Sequence, residues 1–205
     1  MSKKLLVDYI PFEITREQIN ESISQNDGRL VVKGVLQRAE AKNQNGRIYP
    51  RETLVREAKK YAQTQIAERR ALGELDHPDS SVVNLQNASH NVLEMHWKGD
   101  DLMGTVEVLG TPAGNILKEL FKSGIKLGIS SRGLGSVKEI NEGDDENPTV
   151  KVQPDFELIA FDFVSNPSTQ GAFLSPVNES VNKENYTCNK YCKVEHIVTE
   201  ILSGE

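Results

Sequence analysis

The sequence predicts an α+β fold: an antiparallel or mixed sheet, closed into a barrel or stacked as a sandwich, with helices packed outside it. Three observations carry this expectation. Six or seven segments read as strands, against only two with clear helical spacing. Helices and strands alternate too sparsely for a doubly wound sheet. Two β-rich runs, 88–97 and 101–109, meet at Lys98-Gly-Asp-Asp101, a hairpin signal.

Taken in order, residues 3–9 form a short first strand before Pro11. The segment 14–24 follows, with Thr15 and Gln18 spaced as in a capping box. Residues 30–40 are a Val-rich run that reads as a long strand, and 42–50 form an Asn-rich loop with a turn at Asn45-Gly46. Leu54, Val55, Ala58, Tyr61, Ala62 and Ile66 recur at helical spacing behind Pro50, which predicts a helix over 51–71. A polar loop, 73–81, contains His77. After the hairpin, Thr111-Pro112 opens a helix over 113–123 whose buried face is Ile116, Leu117, Leu120 and Phe121, ending at Gly124. Strands over 137–140, 150–152 and 156–164 complete the body, with an acidic loop at 141–147. Apolar residues thin out beyond about 176. The chain therefore divides into an N-terminal segment (1–29), a folded domain (30–175) and a C-terminal tail (176–205).

A chain of 205 residues can bury one sizeable core. Its 37% hydrophobic content and mean hydropathy of -0.47 are those of a soluble globular protein, and no apolar run reaches membrane-spanning length. The apolar stretch behind Met1 is too short for a signal peptide. A net charge of -6 argues against a protein held on nucleic acid by phosphate contacts. The two cysteines both lie in the tail, so no disulfide framework is expected and the compartment is reducing.

Chemistry is concentrated in Leu127-Gly-Ile-Ser-Ser-Arg-Gly-Leu-Gly-Ser136. Two hydroxyls stand beside a cation, and Gly128, Gly133 and Gly135 permit positive φ or close approach. Such a stretch can offer a nucleophile with N–H groups aimed at an oxyanion, or it can be an ordinary turn. A serine nucleophile needs a base and a group that orients it. His77, in a loop between Asp76 and Pro78, can reach across a site. His90 and His96 share strand parity and read as solvated sheet positions. Asp162 is the lone acid in an otherwise apolar strand, where burial requires a partner. Cys188, Cys192 and His196 recur at intervals of four, the beginning of a zinc site without an evident fourth ligand. No metal or cofactor is expected.

With these residues in view, the chain resembles the prohead maturation proteases of large tailed phages. Asn43-Gln-Asn-Gly-Arg-Ile-Tyr-Pro50, Leu72-Gly-Glu-Leu-Asp-His-Pro78 and Gly128–Ser136 carry the likeness, with Asp162-Phe-Val-Ser-Asn-Pro167 a weaker fourth match. The resemblance implies a fold like that of herpesvirus assemblins, a β-barrel surrounded by helices. It implies Ser130 as nucleophile, because it follows the Gly128-Ile129 pair, His77 as general base and Asp162 as its orienting acid. Arg132 and the N–H groups around Gly133 are the oxyanion and substrate-binding candidates. It further implies a serine endopeptidase that cuts after Glu in Ile/Leu-x-Glu, acting on phage scaffold and core proteins and the major capsid protein. The setting is the assembling prohead in the host cytoplasm, the enzyme is a homo-oligomer, and neither nucleic acid nor membrane is a partner. Val177-Asn-Glu179 and Val198-Thr-Glu200 are near-matches to the cleavage pattern, which makes Glu179 and Glu200 autocleavage candidates and the tail a candidate propeptide. The alternative is a catalytically silent scaffold subunit of the prohead core.

Overall fold

The computed structural model describes residues 3–12, 14–76, 78, 80–140 and 149–165. The strand that the others serve is β7 (Leu127–Gly135), flanked on both sides by antiparallel partners, β1 (Lys4–Phe12) and β10 (Glu157–Val164). The Ser-Gly stretch is therefore a buried central strand and not a turn. None of Gly128, Gly133 and Gly135 takes positive φ. The bare Cα of Gly133 instead admits the Phe156 ring, which a Cβ would overlap along with the Glu157 carbonyl oxygen.

A second sheet runs β2 (Val31–Arg38), β6 (Asp101–Val108), β5 (Ala88–Lys98), β4 (Leu72–Glu74), all antiparallel. A third joins β3 (Arg47–Ile48) in parallel to β9 (Thr149–Val152), which pairs with β8 (Val137–Ile140). No closed barrel is found among the described strands. A single parallel bridge, Leu75 to Phe163, links the first two sheets along one side. Where β2 faces β7, a side-chain bond crosses instead, from Gln37 Nε2 to Ser131 Oγ at 2.8 Å. The fold is thus mixed α+β; the barrel of the expectation is not found among the described strands, where the edge strands β1 and β2 share no ladder.

Three helices pack on the sheets. The first, α1 (Arg16–Gln25), opens with the expected capping box: Gln18 N–H donates to Thr15 Oγ1, and Thr15 N–H to Gln18 Oε1. The second, α2 (Arg51–Tyr61), passes into a π-helical turn over Ala62–Ile66 and ends short of the predicted 71, where Arg69 takes φ 53. The third, α3 (Pro112–Lys122), is capped by Thr111 and buries Ala113, Gly114, Leu117 and Phe121. Ile116, expected on that face, is 55% exposed, since i, i+4 stacking from Ala113 through Leu117 to Phe121 sets the contact line beside it. Among the described residues no helix is long and apolar enough to cross a membrane.

Val32, Leu36, Val92, Val106, Leu117, Ile129, Phe161 and Phe163 form the main core. A second cluster gathers Leu6, Tyr49, Leu54, Val152 and Phe156 beneath β1. Full burial of each such side chain contributes about 1.5–3 kcal/mol. Beside the second cluster, which Tyr49 joins, the Asn43–Pro50 segment supplies a polar clasp. Asp8 Oδ1 accepts from Asn45 Nδ2 at 2.8 Å and Arg47 Nη1 at 3.1 Å, and Oδ2 accepts from the Tyr49 hydroxyl. Burial first, then Asp8 itself, hold the Tyr49 hydroxyl well above its ordinary range, which keeps it a donor. The clasp ties β1 down beside the strand that carries Ser130.

Candidate active site

Ser130 stands in the middle of β7, opposite Tyr9 on one side and Asp162 on the other. Directly opposed residues of an antiparallel pair point to the same face, with Cβ atoms about 4.5–5.5 Å apart. Ser130, Arg132 and Asp162 therefore share one face, while Ile129, Phe161 and Phe163 turn to the core on the other. Ser131 also faces away from Ser130, and its hydroxyl is the one bound to Gln37.

Asp162 is wholly buried, and its partner is Arg132. Arg132 Nη2 donates to Asp162 Oδ1 at 3.1 Å, and Nε lies 2.8 Å from Oδ2 as an ion pair too oblique for a hydrogen bond. Glu74 N–H donates to the same Oδ1 at 2.9 Å. The Glu74 carboxylate joins the cluster, accepting at Oε1 from Arg132 Nη2 and from Asn84 N–H, both at 3.0 Å. Arg132 Nη1 donates to the Ser80 carbonyl at 2.6 Å. A cation taken fully out of water needs such partners. The Arg132 guanidinium, named with the N–H groups around Gly133 as an oxyanion and substrate-binding candidate, is directed at two carboxylates and a carbonyl. Glu74 escaped the reading from sequence, although it sits inside the Leu72–Pro78 motif.

His77 lies outside the described residues, as do Glu179, Glu200, Cys188, Cys192 and His196. The chain on either side of His77 is described. Leu75 bridges to Phe163, Asp76 N–H donates to the Phe163 carbonyl at 2.8 Å, and Asp76 takes φ 72, a left-handed conformation that Asp tolerates better than most. Beyond it, Ser80 is held by Arg132. Among the described residues, no group of three or more His, Cys, Asp and Glu could hold a metal ion.

His90, expected on a solvated face, is wholly buried, and His96 is exposed. A register shift between Val92 and Glu94 reverses the alternation, so the two histidines fall on opposite faces. The Phe161 carbonyl, 2.9 Å from His90 Nε2, can only accept, so the proton sits on Nε2 and Nδ1 accepts from the Ser89 hydroxyl at 2.8 Å. Burial pushes this imidazole down to about 4, against the opposing pull of Asp162. In the unfolded chain it titrates near 6.5. Above that pH both states are neutral; as pH falls from about 6.5 to 4 the unfolded chain gains a proton that the fold refuses. Stability should therefore drop by about 3 kcal/mol across this window. Urea melts from pH 7.5 to 4.5 should show a shallower pH dependence in a His90→Gln variant.

A hydroxyl and a carboxylate on one face of adjacent strands, with a histidine loop anchored next to the carboxylate, are parts from which an acyl-transfer site is built. Comparison with known proteins narrows that class. The family model of the prohead core protein serine protease matches residues 9–182. Over 160 residues the chain is 34% identical to the prohead core protein protease of Enterobacteria phage T4, covering 76% of this chain and 73% of the relative. The solved structure of the bacteriophage T4 capsid assembly protease superposes with a TM-score of 0.68 at 29% identity, covering 81% of this chain and all of that one. The chain belongs to the prohead core protein serine protease family.

Proposed function

We propose that the protein is a serine endopeptidase of prohead maturation, with Ser130 as nucleophile, His77 as general base and Asp162 as the acid that orients it. The observation that carries this is the cross-strand pairing of Ser130 with Asp162 in a chain of this family. His77 takes the Ser130 proton as the hydroxyl attacks the scissile carbonyl, then delivers it to the leaving amine. Both ends of the His77 loop are fixed nearby, at Phe163 next to Asp162 and at Arg132 two residues from Ser130. The backbone at Arg132–Gly133 is assigned to the oxyanion. The shift in β10 register between Leu158 and Ala160 falls opposite these two residues, and such an irregularity frees ladder groups to bond elsewhere.

The substrates in this reading are scaffold, core and capsid proteins of the prohead, cut after Glu, by an enzyme that works as a homo-oligomer. Its own tail is removed after Glu179 or Glu200. A fluorophosphonate probe added to the active protein should label Ser130 and block cleavage of a Leu-x-Glu peptide. A label on Ser131, or full activity after complete labelling, would overturn the assignment.

A further inference from the structure

We infer that Arg132 is a positioning residue for Asp162, with Glu74 as its second anchor. The inference rests on the reading of Asp162 as the orienting acid.

The guanidinium meets Asp162 side-on, Nε against Oδ2 at 2.8 Å and Nη2 against Oδ1 at 3.1 Å. One hydrogen bond and one ion-pair contact from a rigid planar group bear on both carboxylate oxygens at once, which a point charge could not do. The cation is itself anchored from elsewhere. Glu74 Oε1 on β4 takes Nη2 at 3.0 Å, and the Ser80 carbonyl takes Nη1 at 2.6 Å. Glu74 also reaches back through its own N–H to Asp162 Oδ1 at 2.9 Å, so β4, β7 and β10 all bear on one carboxylate. Arg132, Glu74 and Asp162 are all wholly buried. An ion pair in such a place is a poor source of net stability, because desolvating the charges offsets their attraction. What it supplies is direction. That direction is held two residues from Ser130, on the same face of the same strand.

Lysine at position 132 would keep the charge but lose the fork. The test is a double-mutant cycle read as kcat and KM on a Leu-x-Glu peptide, with thermal melts to establish folding. Arg132→Lys should lower kcat on the order of 10- to 100-fold with KM within about twofold, the loss expected from a misdirected catalytic group. In an Asp162→Asn background the same change should cost nothing further, since nothing remains to be oriented. Losses that multiply, or Arg132→Lys at the wild-type rate, would overturn the inference while leaving the triad standing. Wild-type activity in Asp162→Asn would instead remove the triad reading, and this inference with it. If Arg132→Lys fails to fold, Glu74→Gln enters the cycle in its place. It keeps the Arg132–Asp162 pair but loosens the anchor, and its loss, about 3- to 10-fold in kcat, should vanish in the Asp162→Asn background. Multiplying losses there would equally count against the inference.

Discussion

Ser130→Ala is expected to abolish peptide-bond cleavage and leave the fold in place. The side chain loses one oxygen on a wholly buried strand position, and neither β1 nor β10 has to move to accommodate a methyl group. Catalysis loses its attacking atom, and in enzymes where nucleophile and base act as a unit removing either costs about 10⁶-fold in kcat. His77→Ala should be comparable, and Asp162→Asn smaller. Ser131→Ala is the informative control. Its hydroxyl is engaged with Gln37 Nε2 at 2.8 Å on the opposite face, so its loss should cost about 1 kcal/mol of stability and little activity. Cleavage of a Leu-x-Glu peptide, and of the chain itself, measures all four. Equal cleavage by wild type and Ser130→Ala would remove Ser130 as nucleophile. Cleavage by neither, under assembly conditions, would favour the silent scaffold subunit.

What could be read in the sequence and what could not differ by physical cause. Local signals carried well: the Thr15 and Gln18 capping box, the hairpin at Gly99 and the Thr111-Pro112 helix start all depend on near neighbours in the chain. Long-range complementarity did not. Asp162 announced itself as an acid in an apolar strand, yet its partner Arg132 is 30 residues away, and only the strand register brings the two together. Glycines suggested a turn, whereas Gly133 answers the bulk of Phe156, which lies just ahead of β10. Alternation failed for His90 because one irregularity between Val92 and Glu94 reverses every side chain beyond it. The Asn43–Pro50 motif was visible as a motif, but its task, holding Asp8 and with it β1 against the strand of Ser130, needed the fold.

Gly73→Ala should be among the most damaging small substitutions outside the proposed catalytic groups. Gly73 pairs with His90 across β4 and β5, and the His90 ring passes over its Cα to reach the Phe161 carbonyl. A Cβ at this position would overlap both that carbonyl oxygen and the ring. Neither can yield cheaply. The oxygen belongs to the backbone of β10, and the ring is held at both nitrogens, by Ser89 and by Phe161. Relief requires β4 to lift from β10, which strains the Glu74 N–H bond to Asp162 at 2.9 Å and the Asp76 N–H bond to Phe163 at 2.8 Å. Overpacking costs about 1–3 kcal/mol and each of these bonds about 1 kcal/mol, so a loss of roughly 3–5 kcal/mol is expected. Activity should fall with it, because the strained bonds are those that hold Asp162 and the start of the His77 loop. Gly110→Ala provides the comparison, with open space where its Cβ would go. Urea melts should separate the two variants clearly; equal stability would mean that β4 and β10 have room between them, and that the close approach at Gly73 does not hold the histidine loop to the sheet of Ser130.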